Sequence, residues 1–87
     1  MTFKIQFLRD AKKDLEKLEY KIAKRIVKVL ENLSLNPFQQ KAIKIKGEKD
    51  IFRIRVGKYR ILYKIYANKK TLLVIRIDKR SRAYRDL

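Results

Sequence analysis

The sequence predicts an α+β fold: an N-terminal strand, then two helices packed on one face of a mainly antiparallel sheet of about four to five strands. Three patterns predict it. Residues 51–66 (IFRIRVGKYRILYKIY) alternate on either side of a Gly-Lys pair. Phe52, Ile54 and Val56 fall to one side and Arg53 and Arg55 to the other, then Ile61, Tyr63 and Ile65 alternate with Arg60, Leu62 and Lys64. Period two with a glycine at the reversal marks a β-hairpin with one buried face. Residues 11–33 instead place Ala11, Leu15, Leu18, Ile22, Ile26, Val29, Leu30 and Leu33 at steps of three and four, which is one face of a helix. The third pattern is their order, with the helical stretch early and every later periodic segment strand-like.

Taken in sequence, residues 2–8 (TFKIQFL) alternate Phe3, Ile5 and Phe7 with Lys4 and Gln6 and read as a first strand. Asp10 is placed to act as a helix N-cap. Lys12, Lys13, Glu16, Lys17, Lys24 and Lys28 form a solvated helical face, with Asp14 and Lys17 as an exposed pair. One long helix and two helices bending near Glu19 and Tyr20 both fit residues 10–34. The small core favours two, because a straight helix of about 35 Å would overhang it. Residues 34–37 (SLNP) stop the helix, since Asn36 before Pro37 is pushed away from α conformation. A loop over 38–42 leads to residues 42–46 (AIKIK), which set Lys44 and Lys46 against Ile43 and Ile45. Turns follow at 47–50 and, after the hairpin, at 67–70. Residues 71–78 (TLLVIRID) read as a central, buried strand, and residues 79–87 as a basic tail with a single aromatic residue, Tyr84. With both helices on one face, the basic alternating positions are expected on the other.

A chain of 87 residues makes one domain, 1–87. It has no cysteine, which excludes disulfides and thiolate metal sites and points to a cytoplasmic setting. It also has no histidine, which removes the usual proton carrier and the commonest metal ligand, so no metal or other cofactor is expected. No apolar run approaches the roughly 18 residues of a membrane span, and Arg9 and Asp10 cut short the apolar start that a signal peptide would need. The net charge is +16, and residues 41–87, with 16 basic and 4 acidic side chains, carry +12 of it. A positive field concentrated in the strand-rich half points to a nucleic acid or another polyanion.

Arg53 and Arg55 stand two positions apart on one strand, and Arg60 follows the turn. Like charges side by side on a sheet repel, so their grouping itself argues for a bound anion. Arginine grips phosphate in a bidentate manner, and aromatic side chains stack unpaired RNA bases. Tyr63, among apolar neighbours, reads as core packing. Tyr84, between Arg80, Arg82 and Arg85, reads as a surface residue.

Three stretches, IKIKG (43–47), IFRIRVGKYRILYKI (51–65) and TLLVIRIDKRSRAY (71–84), together resemble the RelE branch of the RelE/ParE toxin superfamily, in its archaeal form. The likeness in pattern spans nearly the whole chain, and the GKYRILY hairpin and KRSRAY ending are its specific parts. It implies a type II toxin–antitoxin toxin: a metal-independent endoribonuclease that cuts mRNA in the ribosomal A site and inhibits translation. The ribose 2′-OH would attack, leaving a 2′,3′-cyclic phosphate. An acidic RelB-like antitoxin would bind the toxin in a hetero-oligomer. The resemblance places the family's functional positions on Lys46, Arg53, Arg55, Arg60, Arg80 and Tyr84, with Arg82 nearby. Arg53, Arg55, Arg60, Arg80 and Tyr84 are expected to be catalytic, and Lys44, Lys46, Lys79, Arg82 and Arg85 to bind RNA. Arg53 and Arg55 stand where the best-known bacterial members have lysine. Arginine does not give up its proton, so these positions imply transition-state stabilisation rather than a base, and weaker chemistry. Two alternatives remain at this level: a ParE-type toxin that poisons gyrase, and a non-catalytic basic RNA-binding module.

Overall fold

A computed structural model describes residues 2–38, 42–45 and 50–79. In chain order the elements are β1 (Lys4–Phe7), α1 (Arg9–Glu16), α2 (Tyr20–Leu35), β2 (Ile43–Lys44), β3 (Ile51–Val56), β4 (Tyr59–Tyr66) and β5 (Thr71–Lys79), with a 3-10 turn over Ala67–Lys69. The five strands form one sheet in the order β1-β5-β4-β3-β2. β1 runs parallel to β5, and the other three pairings are antiparallel.

The helical stretch divides in two. Lys17 closes α1, and Glu19 enters α2 with extended backbone (φ −59°, ψ 150°). Asp10 does not cap α1. Leu8 holds the cap position, its N–H donating to the Val74 carbonyl and its own carbonyl accepting from Lys12. The chain therefore turns straight from strand into helix, and Asp10 lies in the first turn, where its charge faces the positive end of the helix. Ala11, Ile26, Leu30 and Leu33 are buried against Ile54, Val56, Ile61, Tyr63, Ile65, Leu72, Val74 and Ile77, so both helices share one face of the sheet. The hairpin turns at Gly57 (φ 61°), the left-handed position that a tight two-residue loop requires.

Tyr63 is fully buried, stacked on Phe52, and its hydroxyl donates to the Pro37 carbonyl at 3.3 Å. It thereby ties the end of α2 to the middle of the sheet. Burial pushes its phenol above the ordinary range. The phenol stays neutral in the folded protein where an unfolded tyrosine would ionise, so its stabilisation is complete below pH ~10 and is lost as pH rises beyond that value. Tyr63→Phe is expected to remove about 1 kcal/mol at neutral pH and to flatten the alkaline loss. Urea melts of both proteins between pH 8 and 11 check the difference.

β5 changes phase midway. Leu62 pairs with Arg76 but Tyr63 pairs with Val74, leaving Ile75 as an extra, bulged residue. Without the bulge, Arg76 and Asp78 would fall on the same side as Leu72 and Val74, under the helices. With it, Ile77 joins the core, while Arg76 and Asp78 face the helix-free side. β1 pairs with β5 only as far as Val74. Past that point α1 covers the strand edge: Asp14 accepts from the Ile77 N–H at 3.0 Å and from Arg76 Nε at 2.8 Å and Nη2 at 3.4 Å. Asp14 is thus a half-buried edge cap rather than part of an exposed pair with Lys17. Asp14→Ala is expected to cost about 2 kcal/mol, most of it from the stranded Ile77 N–H, since Arg76 is partly solvated. An unchanged urea midpoint would contradict this role.

Candidate nucleic-acid interface

Paired residues on neighbouring strands share a face, so the register maps the helix-free side. One row reads Arg55, Arg60, Asp78, and the next reads Ile43, Arg53, Leu62, Arg76. A third brings Ile51, Lys64 and Leu73 together, with Gln6 beyond. The three arginines singled out from the hairpin sequence therefore cluster as expected. Arg55 is exposed, Arg53 half-buried, and Arg60 only 4% exposed.

This face is less open than the sequence implied. Leu62 is buried on it, between Arg53 and Arg76 in register, and long cationic stems are of the kind that cover apolar surface while keeping the charge in water. Arg60 is deeper than a purely solvated cation would be. It lies directly opposite Arg55 on one side and Asp78 on the other, so its immediate row carries one like and one opposite charge.

Two expected RNA-contacting lysines fall elsewhere. Lys44 pairs with Phe52 and Lys79 with Tyr59, so both are exposed on the helix-bearing side. For Lys44 the reason is its register on a two-residue edge strand, which turns Ile43 rather than Lys44 toward Arg53. For Lys79 it is the phase change at Ile75. Lys46, Arg80, Arg82, Tyr84 and Arg85 lie outside the described residues.

Three polar side chains to which the sequence alone gives no functional role, Asp14, Arg76 and Asp78, meet at the edge of this face. Arg76 donates to Asp14, and that hydrogen bond, first among its causes, holds its guanidinium above the ordinary value. Arg76 Nη2 also lies 3.6 Å from Asp78 Oδ2, and Asp78 Oδ1 accepts from the Lys79 N–H at 2.7 Å. The available signal was Asp78 itself: among the described residues it is the only carboxylate in any strand. Also among the described residues, no three His, Cys, Asp or Glu side chains gather where they could hold a metal ion, and no helix is long and apolar enough to cross a membrane. The arrangement can collect phosphate oxygens on a fixed cationic surface and stabilise charge that develops on them.

Residues 5–84 match the family model described as the ParE toxin of type II toxin-antitoxin systems. Toxin RelG of Mycobacterium tuberculosis is 30% identical over 86 residues, covering 98% of this chain and 99% of that protein. The fold is similar to the toxin-antitoxin complex RelBE2 of M. tuberculosis, with TM-score 0.81, 29% identity and coverage of 92% of this chain and 100% of that one. It is also similar to the RelB-RelE antitoxin-toxin complex of Methanococcus jannaschii, with TM-score 0.74, 31% identity and coverage of 94% and 98%.

Proposed function

Because the chain belongs to the ParE toxin family of type II toxin–antitoxin systems, we propose that all 87 residues form one RelE-type toxin domain that cuts mRNA on the translating ribosome in the cytoplasm. The observation that carries this reading is the pairing of Arg55 with the nearly buried Arg60 on the helix-free face, with Arg53 in the adjoining row. Held cations of like sign favour a dianionic phosphorane over a monoanionic phosphodiester, which is differential stabilisation of a transition state. The 2′-hydroxyl gives up its proton as its oxygen attacks phosphorus, and the bond to the 5′-oxygen breaks. That oxygen takes up a proton and leaves as the 5′-hydroxyl of the downstream fragment, and a 2′,3′-cyclic phosphate remains on the upstream one. Arg53 and Arg55 hold phosphate, and Arg60, with Arg80, stabilises the developing charge. Tyr84 positions the nucleotide, by stacking or by sharing in proton transfer. Arginines in the place of a general base fit a toxin that leans on the ribosome for the rest of its chemistry.

The same reading includes an acidic RelB-like antitoxin as partner. A charge of +16 repels itself, and Tyr20, Val27, Leu35, Phe38 and Ile43 are large apolar side chains left exposed, as surfaces awaiting a partner are. Cell-free translation tests the proposal. Added protein should shorten the template mRNA before peptide synthesis stops, and an acidic protein encoded beside it should prevent both. Intact mRNA with synthesis undisturbed would overturn the ribonuclease reading, and double-strand breaks at gyrase sites would favour a gyrase poison.

A further inference from the structure

We propose that Asp78 is a positioning residue for Arg60, and that Asp78 is itself held from α1 through Arg76 and Asp14. The proposal rests on the ribonuclease reading for its kinetic consequences. A carboxylate on a surface that gathers phosphate is costly, because it repels the ligand. The strands of the described residues nevertheless carry this one acid among the cations Lys4, Lys44, Arg53, Arg55, Arg60, Lys64, Arg76 and Lys79. Its place explains it. Asp78 lies directly opposite Arg60, and such pairs bring Cβ atoms within about 5 Å, well inside the reach of an aspartate and an arginine. Arg60 is only 4% exposed, and an anion opposite it offsets part of the hydration that burial removes, whatever else the guanidinium touches.

Asp78 is not free to swing toward incoming RNA. Its Oδ1 is engaged by the Lys79 N–H at 2.7 Å, and its Oδ2 faces Arg76 Nη2 at 3.6 Å. Arg76 is fixed in turn by two contacts with Asp14, whose carboxylate also holds the Ile77 N–H. The chain of charges Asp14, Arg76, Asp78, Arg60 thus alternates in sign from α1 to the middle of the basic face. The bulge at Ile75 brings its last three members onto one side of the sheet. Arg76, though basic and on the right face, is committed to two carboxylates and serves as a strut rather than a phosphate ligand. An arginine aimed before the substrate arrives needs no reorganisation when charge develops.

The test is a double-mutant cycle in single-turnover mRNA cleavage on programmed ribosomes. Asp78→Asn keeps the shape and the acceptor for the Lys79 N–H but removes the charge. The expected result is a rate at saturation lowered about tenfold or more, as for a misplaced catalytic group, with half-saturation unchanged or tighter. Asp78→Asn should cost nothing further once Arg60→Ala is present, and Asp78→Glu should recover part of the loss. Cleavage by Asp78→Asn as fast as wild type or faster, which loss of a repelling charge alone would give, overturns the proposal. So does a loss that adds fully to that of Arg60→Ala. NMR of the Arg60 Nε–H reads the positioning without any activity. Its signal should shift and exchange faster with solvent in Asp78→Asn, and an unchanged signal overturns the proposal. Wild-type protein that cuts no mRNA while this signal still responds would sink the ribonuclease reading and leave the positioning standing.

Discussion

Arg60→Ala is expected to slow ribosome-dependent mRNA cleavage by about two orders of magnitude, the usual effect of removing one preorganised donor to a developing oxyanion. Arg60 is the innermost cation of the basic face, 4% exposed, with Arg55 and Asp78 directly across the two neighbouring strands. A guanidinium so held is already desolvated, and its attraction for a phosphorane oxygen is stronger than in water. Arg60→Lys should recover little of the loss, because a single ammonium cannot reproduce two parallel N–H donors. Truncation leaves Asp78 without the cation opposite it, so a melt must accompany the kinetics to show that the variant is folded. Lys24→Ala, on the exposed side of α2, should cut at the wild-type rate. Cleavage by Arg60→Ala within about threefold of wild type would remove Arg60 from the chemistry.

The second large effect expected is on salt. Arg53, Arg55, Arg60 and Lys64 lie on one face, in the half of the chain that carries +12. If four cations each neutralise one phosphate of a single strand, log K falls with log salt with a slope of about −2.8. A fourfold rise in salt then weakens binding about fiftyfold. Arg55→Ala should lower the magnitude of the slope by about 0.7. Arg76→Ala should leave the slope nearly as it was, since Asp14 and Asp78 already engage that guanidinium. Titration of a labelled RNA oligonucleotide at several salt concentrations measures all three slopes. A flat salt dependence for the wild type would contradict the phosphate-collecting role of the face.

Local patterns foretold the hairpin, the apolar helix face and the Arg53–Arg55–Arg60 cluster, because each depends on periodicity within a few residues. The break at Lys17–Glu19 was legible only through the size of the core, since nothing in the local sequence interrupts the helix. What escaped depended on distant partners. Asp14 looks like any solvated acid on a helix until β1 ends at Val74 and leaves the Ile77 N–H exposed at the strand edge. Asp78 looks like the mere end of a buried strand until the register sets it beside Arg60. The single extra residue at Ile75 governs both Lys79 and Arg76, and a continuous apolar run such as LLVI does not show where its phase changes. Lys44 falls on the helix-bearing side for a related reason: alternation in AIKIK predicts two faces but not which of them joins Arg53.

Mapping mRNA 5′ and 3′ ends after incubation with ribosomes carrying a defined codon in the A site tests the central claim most directly. Wild-type protein should produce one dominant cut in that codon, with a 2′,3′-cyclic phosphate on the upstream fragment. The same mRNA without ribosomes should stay intact, and Arg60→Ala should give only a trace of the cut. An intact message on the ribosome, with the protein bound and folded, would contradict the claim and leave a basic RNA-binding module in its place.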